Sequence, residues 1–335
     1  MITMHWIFTV EIQPLLSERK TNMKRRITAL ALTLALTLTA TACGNKSESG
    51  NENHDNNNTV KIAYLPITHS LAVLEEADEL TTGEGVKVEL VKYGSWPELL
   101  DALNTGRVDG ASVLIELAMK SKQEGIGIKA VALGHRDGNV VVVSNDINTA
   151  SDLKGKTFAI PHRQSSHNIL LNETLAKGGL TVNDVNVTEL APTEMPSALA
   201  SGQIDGYCVA EPFGAMGVSL KVGKVLYNSE ELWQDSLCCG LVLTDKFIDE
   251  RPEQAKEFVE SYKTAGNNLT KDKAKEVAKK YLSQTDEVLD ISLQWISYNN
   301  LDITEETYNN LVEKVKEYGL SDNPPSYNDF VKTDF

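Results

Sequence analysis

The feature that most constrains this chain is that part of it occurs twice. An apolar segment, Val60-Lys-Ile-Ala-Tyr-Leu65, stops at Pro66 and leads through Thr68, His69 and Ser70 into a helical pattern at Leu71, Leu74 and Ala77. Later, Lys156-Thr-Phe-Ala-Ile160 stops at Pro161 and leads through a polar loop, His162 to Ser166, into Ile169, Leu171, Leu175 and Ala176. The next elements match as well. Trp96-Pro97 opens a helix that closes at Gly106-Arg-Val-Asp-Gly110, and Met195-Pro196 opens one that closes at Gly202-Gln-Ile-Asp-Gly206. Proline is tolerated in a first helical turn, and glycine suits the place where the chain leaves the helix. A strand follows each closure, at 111–114 and 207–210.

A duplicated β-α-β-α-β unit predicts an α/β fold of two lobes, each a mostly parallel sheet flanked by helices. The expected division is 59–145 for the first lobe, 146–238 for the second, and 239–335 for a return to the first lobe plus a helical extension. Helices are expected at 254–269, 272–282, 287–298 and 305–318, with an irregular tail from Ser321. Ligands in such sheets bind beyond the carboxyl ends of the strands, where helix N-termini converge. Two lobes facing each other would enclose one cleft.

The N-terminus bears on compartment. Lys24, Arg25 and Arg26 precede an uncharged run to Ala40, then Thr41, Ala42 and Cys43. A basic region, an apolar region and a small-residue site form a signal peptide over 23–42. The run contains four threonines and is short for a membrane span. Residues 1–22 fit no part of the scheme and are expected to be an upstream start. The polar stretch 43–58, rich in Asn, Ser, Glu and Gly, has nothing with which to build a core and is expected to be a tether. The full chain carries 47 acidic against 32 basic side chains, a net charge of −15. With no Lys/Arg cluster beyond residue 26, nucleic acid is not an expected partner.

Together the residues resemble a family: the solute-binding proteins of ABC importers in the nitrate, bicarbonate, sulfonate and taurine group, most of all its nitrate and bicarbonate branch. The resemblance rests on Lys61-Ile-Ala-Tyr-Leu-Pro-Ile-Thr68, Gly94-Ser-Trp96, Phe158-Ala-Ile-Pro161 continued by Ser166-His-Asn168, Asp205-Gly206, Glu211-Pro-Phe213, and Cys238-Cys239 after Trp233. It implies the type II periplasmic-binding-protein fold and a monomer that closes by a hinge around a small-molecule ligand. Its partners would be an ABC permease with its ATPase. Cys43 stands where lipoproteins of such systems carry lipid, which would hold the protein at the outer face of the cell membrane. Enzyme motifs of the HExxH, GxSxG and GxGxxG kinds are absent from the sequence, and Lys154-Gly-Lys-Thr157 enters a strand pattern, unlike a P-loop. The alternatives are a binding protein for a pyrimidine thiamine precursor and a thiamine-pyrimidine synthesis enzyme of the same fold.

The resemblance implies ligand contacts at Trp96, at Asn139 where nitrate-binding relatives have glutamine, and at His167 in the Ser-His-Asn trio. Thr68 and Glu211 are further candidates from their places after strands, Glu211 equally as a helix-start charge. His69 and His162 open the first helix of each repeat. Asp245 occupies the position of a neutralising lysine in nitrate-binding relatives and of a metal-assisting carboxylate in bicarbonate-binding ones. A carboxylate there would repel a bare anion by about 4 kcal/mol at contact distance and an effective dielectric near 20. The expectation is therefore a cation at Asp245, either a metal, Ca²⁺ on oxygen ligands or Zn²⁺ with His167 and His162, or a cationic group of the ligand itself, the alternative being that Asp245 caps the short helix toward Ile248. Cys238 and Cys239 have no second cysteine pair at ligand spacing and are expected to be buried thiols, while the sequence leaves open whether a disulfide joins any of Cys208, Cys238 and Cys239.

Overall fold

Each of the two main sheets contains one copy of the duplicated unit. The computed structural model describes residues 58–80 and 85–335. Its strands are β1 (Thr59–Tyr64), β2 (Lys87–Lys92), β3 (Gly110–Leu114), β4 (Ile128–Leu133), β5 (Arg136–Asp137), β6 (Asn139–Ser144), β7 (Thr157–Ile160), β8 (Asn186–Glu189), β9 (Gly206–Ala210), β10 (Gly223–Asn228), β11 (Cys239–Thr244) and β12 (Ile296–Ser297). One sheet runs β2-β1-β3-β11-β4 and the other, read in the same sense, β8-β7-β9-β6-β10. The two orders correspond strand for strand. In each, the fourth strand is antiparallel to both neighbours and the other four share one direction.

The duplicated Gly-x-x-Asp-Gly segments explain their own recurrence. Gly106 and Gly202 leave their helices with φ of 68° and 71°, a left-handed conformation that favours glycine. The aspartates then lock each new strand to the first strand of its unit. Asp109 donates its N–H to the Lys61 carbonyl and accepts the Lys61 N–H on its carboxylate, both at 2.8 Å. Asp205 makes the same pair of bonds with Thr157, also at 2.8 Å. The strands β3, β9 and β11 are buried on both faces, as sheets covered by helices require.

The expected division at 145/146 falls one strand late. β6 pairs with β9 and β10, so the chain crosses to the second lobe at Gly134–Gly138 and not after Asn145. A four-valine run is equally suited to either sheet, and its apolar pattern holds no information about which. By Cys239 the chain is back in the first sheet, where β11 pairs with β3 and β4.

The later helices are Pro252–Asn268, Lys271–Leu282, Asp286–Ser292 and Glu305–Glu317. Three of them begin on a threonine, at Thr270, Thr285 and Thr304, whose side chain accepts an N–H of the first turn. The third helix stops sooner than periodicity suggests, since Ile296–Ser297 leaves to pair with β5 in the crossing segment. The tail is also more regular than expected: Tyr327–Phe330 is helical and Val331 bridges Ala130 of β4. Among the described residues no helix is long and apolar enough to cross a membrane. Cys43, the signal segment and the tether lie outside the described residues.

Candidate ligand site between the lobes

Strand direction decides which residues meet. In the first sheet β1 and β3 end toward the second lobe, and the turns after them carry Thr68 to Ser70 and Glu116. β4 ends on the same edge and is followed by His135. Because β11 is antiparallel, its first residue, Cys239, lies opposite the last residue of β3, Leu114. Both cysteines thus arrive at the edge where the parallel strands finish, and the Cys238 carbonyl accepts the Ile115 N–H at 2.8 Å. The second sheet repeats this logic: Asn139, first in antiparallel β6, pairs with Ala210 at the end of β9. His167 stands in the first turn of the helix Ser166–Lys177, beyond the end of β7.

A buried polar cluster results. His69 Nδ1 lies 3.7 Å from Cys238 Sγ and 3.5 Å from Cys239 Sγ, and its ring stacks on His135 with centroids 3.5 Å apart. The His69 Nε2 atom is 2.9 Å from the Gly138 carbonyl, which can only accept, so Nε2 carries the proton and Nδ1 presents a lone pair to the thiols. Cys238 Sγ is 3.8 Å from Cys239 Sγ, far beyond the disulfide length of about 2.05 Å. All three described cysteines are free and buried.

Burial depresses the basicity of His135 and His167, each held down to about 4, so both rings are neutral at pH 7. Burial also pushes the Glu116 carboxyl well above its ordinary value, with Cys238 adding to the effect. For Cys238 the effect of burial is outweighed by hydrogen bonding from the neighbouring Cys239, and its thiol is drawn well below the usual range. Cys239 goes up, through burial and through Cys238 itself. Several buried polar atoms here have no hydrogen-bond partner of ordinary geometry: both ring nitrogens of His135 and of His167, Asn139 Nδ2, the Glu116 carboxylate, Ser166 Oγ and Trp96 Nε1. Buried polar groups are nearly always paired, so a cluster of unpaired ones marks a place built for something else.

The expected site residues divide. His167 and Asn139 belong to this edge, and Trp96, buried at the first turn of Trp96–Asn104 beyond β2, stands at the carboxyl edge of the first sheet. Thr68 is beside the cluster, but its N–H and hydroxyl both donate to the Glu211 carbonyl, at 2.8 and 3.0 Å, tying the two lobes together. The Glu211 carboxylate accepts the Ala215 N–H at 3.2 Å on each oxygen, which is the helix-start role.

The metal set expected from sequence does not assemble. Asp245 follows the last residue of β11, and because β11 is antiparallel that end points away from the cleft. Six extended residues separate it from Cys239, roughly 20 Å. Asp245 pairs there with Lys122 at 3.6 Å. His162 accepts the Gln164 N–H on Nδ1 at 2.9 Å and faces Glu189 at 4.0 Å, half-exposed at the outer side of its loop. The cysteines' partners were missed because they lie 169 and 170 positions away, in His69. The usable signal was positional: His69 and His135 each follow the end of an apolar strand.

The two lobes, with a buried polar cluster at their facing strand ends, have the fold of the periplasmic binding proteins. The family model for the NMT1-like family matches residues 53–283, and the chain belongs to that family. The ligand-binding component of an ABC-type import system from Staphylococcus aureus, solved with zinc bound, is 41% identical, with a TM-score of 0.78 over 82% of this chain and 96% of that one. Among curated relatives, the nitrate import ATP-binding protein NrtC of Synechocystis is 27% identical over 57% of this chain and 32% of its own length. The taurine-binding periplasmic protein of Escherichia coli is 29% identical over 60% of this chain and 63% of its own. The match thus spans less than two thirds of either curated relative.

Proposed function

We propose that this protein is the solute-binding component of an ABC importer. It works on the outer side of the cell membrane, held there by lipid on Cys43, and takes a small solute from solution to a permease and its ATPase. No bond is made or broken. Both lobes contribute to the chamber, so a ligand that bridges them favours the closed arrangement over the open one. The observation that carries this reading is the set of unpaired buried groups, the His167 ring nitrogens, Asn139 Nδ2, Ser166 Oγ and Trp96 Nε1, at the facing strand ends. A small polar solute with both donors and acceptors would satisfy them, in keeping with the nitrate, sulfonate and taurine proteins among its relatives. The neutral state of His167 suits it to donate one hydrogen bond from either nitrogen.

The test is a thermal-shift and calorimetric screen of the purified chain against small oxyanions, sulfonates and taurine. A true ligand at 100 times its Kd raises stability by about 2.7 kcal/mol. His167→Ala should weaken its binding by roughly 1–3 kcal/mol while the circular dichroism spectrum stays unchanged. Failure of every such solute to bind, with no permease recovered by crosslinking in membranes, would overturn the assignment.

A further inference from the structure

We propose that His69, His135, Cys238 and Cys239 form a binding site for one thiophilic divalent cation, Zn²⁺ before all others, at the floor of the interlobe chamber. This deepens the reading above by naming an ion that the same chamber takes, and it rests on distances. A tetrahedral zinc with Zn–S of about 2.3 Å and Zn–N of about 2.0–2.1 Å places its sulfur ligands about 3.8 Å apart and its nitrogen and sulfur ligands about 3.6 Å apart. The three measured edges are 3.8 Å between the two Sγ atoms, and 3.7 and 3.5 Å from His69 Nδ1 to each. The ligand atoms of all four residues lie within 4.8 Å of one another, and all four are buried.

Orientation supports the same conclusion. A metal-bound histidine ordinarily donates its other N–H to a carbonyl or carboxylate, which fixes tautomer and ring. His69 already does so, through Nε2 to the Gly138 carbonyl at 2.9 Å, leaving Nδ1 directed at the two sulfurs. His135, stacked on it, has neither ring nitrogen paired. Charge supports it too. Two thiolates and two neutral imidazoles cancel the charge of a divalent ion, so the bound state buries no net charge, and binding releases the thiol protons to solvent. Sulfur ligands select Zn²⁺ over the oxygen-preferring Ca²⁺ and Mg²⁺. All four ligands come from the first lobe's edge and the crossing segments, so the ion seats before the lobes close.

The experiment is metal binding to the full chain, stripped with a chelator and kept reduced. Zinc is measured by elemental analysis and by competition with a chromophoric chelator, and Co²⁺ serves as the spectroscopic probe. The wild type should take up one zinc per chain. With Co²⁺ it should show thiolate-to-metal charge-transfer absorption together with the intense visible bands of tetrahedral coordination. X-ray absorption of the zinc form should count two sulfur neighbours at about 2.3 Å. Cys238→Ser and His69→Ala should each weaken zinc binding by on the order of 100-fold, while His162→Ala should leave it unchanged. Zinc below a tenth of an equivalent in the wild type, or a zinc shell without sulfur, overturns the proposal, and neither readout needs a variant to fold. A chain that fails these tests yet still binds an oxyanion or taurine in the thermal-shift screen loses the metal site and keeps its solute-binding role. A chain that takes zinc but neither those solutes nor a permease does the reverse.

Discussion

Glu211 shows how one buried carboxyl couples the lobe junction to pH. Burial pushes its carboxyl up to about 8, well above the ordinary value of 4.5, despite the two bonds from Ala215. In the unfolded chain the group is ionised above about pH 4.5, whereas in the folded protein it keeps its proton to about pH 8. The folded state therefore binds more protons across that window, and its stability falls as pH rises from about 5 to 8. Glu211→Gln, which stays neutral and can still accept from Ala215, should flatten that slope and raise the urea midpoint at pH 8 more than at pH 5. An unchanged difference between the two midpoints would mean that Glu211 is ionised in the native protein.

At the same scale, the positions of His167 and Trp96 were readable from sequence because each opens a helix just after a strand, whereas Asn139 is the first residue of β6. Asp245 was misplaced for a reason that no residue type carries: the direction of β11. A carboxylate after a strand faces the cleft only when the strand runs with its parallel neighbours. The clustered histidines were unreadable as a set, since only the folded sheet brings residues 69, 135 and 238 to one edge.

The elements that recur in the sequence do equivalent work in the two lobes, which is why the repeat could be read without a structure. Asp109 and Asp205 each fasten a strand to the one that opens its unit, and the helix before each ends on a left-handed glycine. Removing the carboxylate leaves a strand N–H unpaired, at a cost of about 1–2 kcal/mol for a half-exposed site. Asp205→Ala should lower the unfolding free energy by that amount in urea titration. Asp109→Ala should cost more, because Asp109 also holds Arg251, whose guanidinium donates to the Thr59 carbonyl at 2.9 Å. Equal losses in the two variants would show that the Arg251 contacts of Asp109 contribute no more than the Lys156 pair of Asp205 at 3.3 Å. What the repeat did not reveal are the pieces outside it, β6, β11 and β12, whose short apolar runs fit any sheet.

For the whole molecule the crossing segments matter most, because both run past the polar cluster. Gly138 lies at their meeting point with φ of 79°, and a side chain there would come within 2.8 Å of Ile296 in β12. Its carbonyl also holds His69. Gly138→Ala should cost about 1–2 kcal/mol from the left-handed backbone alone. It should also disturb the His69 ring, so that affinity for the chamber's ligand falls further than stability does. Small-angle scattering with and without ligand would then show a smaller contraction than in the wild type. A variant with normal contraction and normal affinity would remove Gly138 from the closing movement.

The exchange of β6 and β11 between the repeats also sets a timetable. The first sheet has its four co-directional strands by Leu133, but the place between β3 and β4 stays vacant until Cys239–Thr244 has been made. At synthesis rates of roughly 5–20 residues per second, the hundred or so intervening residues take on the order of 5–20 s. Throughout that interval β4 has no neighbour in its own sheet, while the second sheet, whose last strand β10 precedes β11, can close first. The half that begins the chain is thus the half that is finished later, and a polypeptide cut short before residue 239 would hold all the strands of one sheet, the second.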